Sequence, residues 1–499
     1  IKNADEVTIS TLGQLSTQSI GSGNAGEITI DTRILTLSDA GKILSNSYGT
    51  GSSGDITITA SDTVNLSGHS DGTDYSSLET VTTGGGKGGN IHLTTPDLIM
   101  DNTGRIRAFT TNSGDAGNVE INVNRLSMTN GATITASTSN KDNPDLATGK
   151  GGVITINATD SATISGSTTI NGETSQSGII LSSNGKGNAG DLVLKAGTFT
   201  MADGANILST AHHTGNGGRI DIEAKDYSMS NAMILAGSYS SGDAGVISLS
   251  ADDASFVNNS RLDGRAYSTG NAGSIDIEAN NSLTVNNSNI IGGTEGSGSG
   301  GSVSLTTPFL TIADGGRISA ESLSTGKAGN LTLKVSDVIV MNNGFITTSA
   351  QNADGGDIFI DPVLMDLKNS RISAFVKGGT GNGGNIKLAA RQLVLDNSSI
   401  IADANEGNGG NINIDTKALI QSSGSKISAS SKLGVSGAIF ISSPIVDVGA
   451  QLADLPETMI DTTRMAPKRC ASSNEEISSF TVQESSGALI NPDRPITTR

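Results

Sequence analysis

A glycine-rich phrase returns along most of the 499-residue chain: GNAGEITI at Gly23–Ile30, GDAGNVEI at Gly114–Ile121, GNAGDLVL at Gly187–Leu194, GNAGSIDI at Gly270–Ile277 and GNGGNIKL at Gly381–Leu388. Its last glycine stands at Gly26, Gly54, Gly89, Gly117, Gly152, Gly190, Gly218, Gly245, Gly273, Gly301, Gly329, Gly356, Gly384, Gly410 and Gly437. From Gly190 onward these glycines are 26 to 28 residues apart, which is too regular for unrelated loops. The chain is therefore an array of one small structural unit.

The unit is made of strands. After each glycine, apolar and polar residues alternate, as in Ile275 and Ile277 or Leu331 and Leu333, and a period of two turns one face inward. About eight residues later a second alternating pair follows (Leu35 and Leu37, Leu283 and Val285, Leu393 and Leu395), and then a single Ile or Leu opens a third run. Three residues before that Ile or Leu stand Gly131, Gly204, Asn231, Asn259, Asn287, Gly315, Asn343, Asn369, Asn397 and Gly424, with Ala40 and Thr103 as exceptions. Gly and Asn tolerate a left-handed backbone, so a bend recurs at this corner.

Three short strands cannot enclose an apolar face within one turn, so successive turns must stack. The expected fold is all-β: a parallel β-helix of about fifteen three-strand turns, right-handed by the general handedness of parallel crossovers. At about 4.8 Å per turn it would be about 70 Å long. An apolar content of 34% with only 3% aromatics suits a thin aliphatic interior. The repeats span residues 1–443; residues 444–499, which hold five of the nine prolines, are expected to form a cap and a loosely ordered tail. Val7, Ile9 and Leu15 match the second and third strands of a turn whose first strand is missing, which reads as an amino-terminal truncation.

The net charge is −18, from 49 acidic and 31 basic residues, with no basic stripe, so nucleic acid is not an expected partner. A calcium ladder is not expected either, because Asp115 and Asp243 of the glycine phrase give way to Asn, Lys or Gly in sister repeats. Neither a metal nor another cofactor is called for. One cysteine, Cys470, permits no internal disulfide.

The repeats ending at Gly89, Gly152 and Gly190 are 35, 35 and 38 residues long. The extra residues fall around Gly68–Gly85, Ser137–Gly149 and Ser167–Asn184, in the first two cases after the third strand, where they would protrude from one edge. Asp71, Asp74, Tyr75, Glu79, Asp142 and Asp145 in these insertions, with His212 and His213 on a nearby turn, are the candidate ligand-binding residues.

The GNAGxIxI phrase followed by LxLxxGAxI, as in LSMTNGATI at Leu126–Ile134, resembles the filamentous haemagglutinin-type exoproteins of two-partner secretion, in the form common in cyanobacteria. Arg469-Cys470, Ser478–Val482 (SSFTV) and the proline-containing end resemble their terminal segment. The resemblance implies an extracellular, cell-surface adhesin exported through an outer-membrane secretion partner and binding glycans or proteins of host or neighbouring cells. The Asn-Pro-Asn-Leu secretion motif is absent from this chain.

A passive surface-layer or matrix fibre, joined end to end, is the alternative expectation. A β-helical polysaccharide-degrading enzyme is disfavoured: there is no Trp, only five Tyr, and no clustered catalytic set beyond the acid pair Asp252-Asp253, which falls at a solvated corner. No catalytic residues are assigned. Ice binding would need a Thr ladder outside the first strand, which the series Thr57, His92, Glu120, Thr155, Val193 does not supply.

Overall fold

A computed structural model describes residues 1–70, 74–140 and 142–442, together with the backbone of 445–446. Asp71, Cys470 and, apart from the short strand Ile445–Val446, the expected cap and tail lie outside the described residues. The described chain is all-β, without helix, and its strands stack in parallel in about sixteen turns. The added turn is the first: Val7 and Ile9 pair in register with Leu35 and Leu37, and Leu15 with Ile43, as second and third strands.

Each turn contributes to two long parallel sheets. From Ile28–Ser38 to Leu331–Asn342 the first and second strands merge into one strand of 11 to 13 residues, bent where the register slips, as between Val123 and Arg125. From Ile358–Ile360 and Leu364–Lys368 onward they separate. The third strands form a 15-stranded sheet of their own.

Register is held by the apolar columns, because a slip of one residue would turn every inward side chain to solvent. Ile247 pairs with Ile275 and Ile275 with Val303; Leu262 pairs with Ile290 and Ile290 with Ile318. All six are buried. Where the second-strand column narrows to Ala162 and Ala254, Phe199, Tyr227 and Phe256 fill the space, their rings tilted at centroid distances of 5.7 and 5.4 Å. The buried Tyr227 hydroxyl donates to Met229 Sδ at 3.3 Å.

The corner before the third strand is left-handed at every described position named above except Gly424, and Ala40 (φ 64°) and Thr103 (φ 68°) adopt the same conformation. Backbone geometry here is imposed by the stack, and side chains other than Gly and Asn accept it at a cost of about 1–2 kcal/mol.

The glycine phrase has two structural duties. Its last glycine stacks on the same glycine one turn back: a Cβ on Gly273 would lie 1.6 Å from the Gly245 carbonyl oxygen. Its Asn or Asp builds an outer polar ladder, each side-chain oxygen accepting the backbone N–H of the equivalent residue in the next turn. Asn188 accepts from Asn216 at 3.0 Å, Asn216 from Asp243 at 2.9 Å and Asp243 from Asn271 at 2.8 Å. Asn and Asp exchange freely at this position because either supplies the acceptor.

One expectation needs correction. The first insertion lies before the third strand of its turn, not after it. Leu78 is the residue that pairs with Ile43 and Ile106 in the buried column, so Ser77–Thr82 is the third strand and the polar residues ahead of it loop out.

Candidate functional site

Two hairpins rise from the corner between second and third strands. His69–Ser70 pairs antiparallel with Asp74–Tyr75, and three turns later Ser167–Ile170 pairs with Glu173–Gln176. The middle insertion, described at residues 140 and 142–149, leaves from the other end of the third strand Thr133–Thr138. Between these walls the outer face of the third-strand sheet forms a cleft of about 340 Å³.

The floor is a grid set by strand pairing. Arg105, Arg107 and Phe109 form one row, in register with Thr133, Thr135 and Ser137 in the next turn. Ile180, Ser182 and Asn184 extend the floor by a further turn, and Ser175 of the second hairpin stands at its side. Hydroxyls and guanidinium groups point outward here because the alternate positions, Ile106 and Ile134, are committed to the core.

Of the candidate residues, Asp74 pairs with Lys42 and ties the first hairpin to the preceding turn. The Tyr75 ring lies under the Arg105 guanidinium, 3.3 Å from its carbon, a cation–π contact that fixes both. Burial pulls the Arg105 pKa below its usual value, against the opposing effects of Tyr75 and Glu79. Glu79 stands in register with Arg107 one turn earlier. Asp145 joins the middle insertion to later turns, 3.1 Å from Lys186 Nζ and 3.7 Å from His213 Nε2. The hydrogen bond and charge of Lys186, with His213 adding, hold its carboxyl below the ordinary range. Asp142 is exposed in the loop. The candidates thus serve mainly to anchor the walls.

His212 sits apart from His213, on the outer face one turn beyond Asn184, where Tyr239 stacks on it and Tyr267 on Tyr239. Ring centroids are 4.7 and 4.5 Å apart and the planes lie within 5°. Burial lowers the His212 pKa. Because the rings stack on one another, they show edges to solvent and leave little free face for a sugar. Their sequence spacing, 27 residues and then 28, equals the repeat period. That period is the signal by which the column is legible once the turns are aligned.

The aromatic column leads to an ionic cluster that sequence reasoning missed. Asp263 is fully buried between Arg261 and Arg265, accepts the Arg265 backbone N–H at 2.9 Å and the Tyr267 hydroxyl at 3.1 Å, and Arg265 also pairs with Glu295. Burial outweighs Arg261 and the Tyr267 hydrogen bond and pushes the Asp263 pKa up to about 6. Between pH about 4 and 6 the folded chain keeps a proton that the unfolded chain has lost. This carboxyl therefore contributes most to stability below pH 4, and that contribution, up to about 3 kcal/mol, is lost as pH rises through 6. Melting curves of Asp263→Asn should be flatter with pH across that window than those of the parent; parallel curves would refute the assignment.

A larger groove, about 520 Å³, runs along the corner between first and second strands, floored by Ala158, Ala196, Ala224 and Ala251. Four of its polar groups pair off within it: Lys195 with Glu223 at 2.6 Å, and Asn280, which donates to Asp252 at 2.9 Å. The acid pair likewise has structural partners, Asp253 accepting from Asn281 and Ser282. Among the described residues no three of His, Cys, Asp and Glu converge as a metal site would require. Comparisons with protein-family models, curated proteins and solved structures returned no match.

Proposed function

We propose that the chain is a secreted surface exoprotein in which the stacked turns act as a rigid support and the cleft between the insertions binds a cell-surface glycan or protein. One observation carries this reading: described residues of all three insertions border one patch of one face, Tyr75 against Arg105 and Ser139 and Ser175 beside the cleft floor, whereas insertions tolerated at random would scatter over the turns. A parallel solenoid suits the role, since each turn hydrogen-bonds to its neighbours and needs no large globular core. Export through an outer-membrane secretion partner and residence at the cell surface rest on the resemblance of the repeat to the haemagglutinin-type exoproteins.

A passive fibre is the second reading, favoured by the turns after Gly218, which continue to Gly437 without an insertion. The two readings separate in a binding assay against whole cells and a glycan panel. An adhesin gives saturable binding that is lost when Ser70–Tyr75 and Thr168–Ser175 are each shortened to a two-residue turn, with melting unchanged. No binding by the folded chain favours the fibre, and binding that survives both deletions overturns the cleft as the binding site.

A further inference from the structure

The cleft sets two neighbouring arginines beside a row of hydroxyls. Six of the ten described arginines are neutralised where they stand: Arg33, Arg125, Arg219, Arg261, Arg265 and Arg317 each hold a carboxylate. Arg105 and Arg107 are side by side on the outer face of one strand, and among the described residues neither has a carboxylate within 4.0 Å. Their support comes from rings instead. Arg105 lies on Tyr75, and the Arg107 guanidinium carbon is 4.0 Å from the Phe109 ring centroid. Stacking on Phe109 leaves the Arg107 guanidinium N–H edge free to donate, while Arg105 also hydrogen-bonds Tyr75 and keeps its Nε buried without a hydrogen-bond partner. The next row, Thr133, Thr135 and Ser137, supplies hydroxyls about 4.8 Å away, the spacing of adjacent strands.

Resting on the reading of this cleft as the binding element, we propose that its ligand is an acidic saccharide, a uronate-bearing chain whose carboxylate docks on Arg107 and Arg105. The sugar hydroxyls meet the Thr and Ser row, and the apolar face of the ring lies against Ile180. Guanidinium pairs match the planar, two-oxygen geometry of a carboxylate, and the hydroxyl row matches a polyol better than a peptide. Glu79 sets the selectivity: in register with Arg107, it repels a ligand whose negative charge is spread along both rows.

The test uses the intact chain and calorimetric titration with a galacturonate oligosaccharide, the same oligosaccharide with its carboxyls reduced to alcohols, and dextran sulfate. Expected is saturable, salt-weakened binding of the uronate, with no binding of the reduced form. Arg107→Gln should weaken the uronate about tenfold, a charge-assisted contact's worth. Thr135→Val, which keeps the fold's shape, should weaken it less, and Arg371→Gln, outside the cleft, should not alter it. Equal binding of the reduced sugar, equal binding of dextran sulfate, or an undiminished Arg107→Gln would each overturn the proposal, as would no binding at all. Cell binding that depends on the hairpins without uronate binding would defeat this ligand class and leave the adhesin reading standing. Uronate binding without cell binding would do the reverse.

Discussion

Gly273→Ala is expected to destabilise the stack by at least about 3 kcal/mol, although it adds a single methyl group. The added Cβ would sit 1.6 Å from the carbonyl oxygen of Gly245 and 2.7 Å from its carbonyl carbon, both of them backbone. Neither strand can retreat, because Ala244 N–H donates to the Asn271 carbonyl at 2.8 Å and Ile247 N–H to the Ser274 carbonyl at 3.0 Å, which hold these two turns at ladder spacing. The clash is also transmitted, since Gly301 stacks on Gly273 in the same way. Gly23→Ala is the control: that glycine belongs to the same phrase but has nothing within 4 Å of the Cβ position, so its effect should be near zero. Circular dichroism melts of the two variants decide the matter. If Gly273→Ala unfolds with the parent, close stacking is not what the recurring glycine provides.

Ile275→Asp should abolish the single cooperative unfolding transition. Ile275 is completely buried in the column between Ile247 and Val303, so the new carboxylate would have neither water nor a partner, at a cost of several kcal/mol. In a solenoid each turn contacts only its neighbours, so the damage divides the stack at that turn into two parts that unfold separately. Asp276→Asn, one residue on and facing solvent, should leave the transition intact. Denaturant titration followed by far-ultraviolet dichroism separates these outcomes, and a parent-like curve for Ile275→Asp would mean that the inward assignment of the column is wrong.

Much of the architecture is legible in the chain because the repeat samples the same environment over and over. The inward positions of all three strands follow from alternation. The left-handed corner follows from Gly and Asn recurring before the third strand, and its conformation extends even to Ala40 and Thr103, where the residue type gives no sign of it. The first and second strands were harder to delimit. Apolar alternation shows which residues face inward but carries no mark of whether the chain breaks or merely bends at the corner, and in most turns it bends.

The candidate site was legible only in outline. Irregular repeat lengths at Gly89, Gly152 and Gly190 pointed to insertions, and the acidic and aromatic residues within them were the visible chemistry. In the structure those residues are mostly fasteners: Asp74 on Lys42, Tyr75 under Arg105, Asp145 on Lys186 and His213. The arginines turned toward the cleft, Arg105 and Arg107, lie in a repeat of ordinary length, where nothing in the local pattern distinguishes an outward arginine from a solvated one.

What the sequence alone determined is therefore the repeating unit, its strands, its apolar columns and the left-handed corner, because each depends on contacts that recur at a fixed separation along the chain. What only the tertiary structure decided is the side of the third strand from which the first hairpin leaves, the gathering of three insertions around one face, and the burial of Asp263 between two arginines. Those depend on which turn lies beside which, and on how far each insertion reaches across its neighbours. Stacking sets both distances, and no single repeat records them.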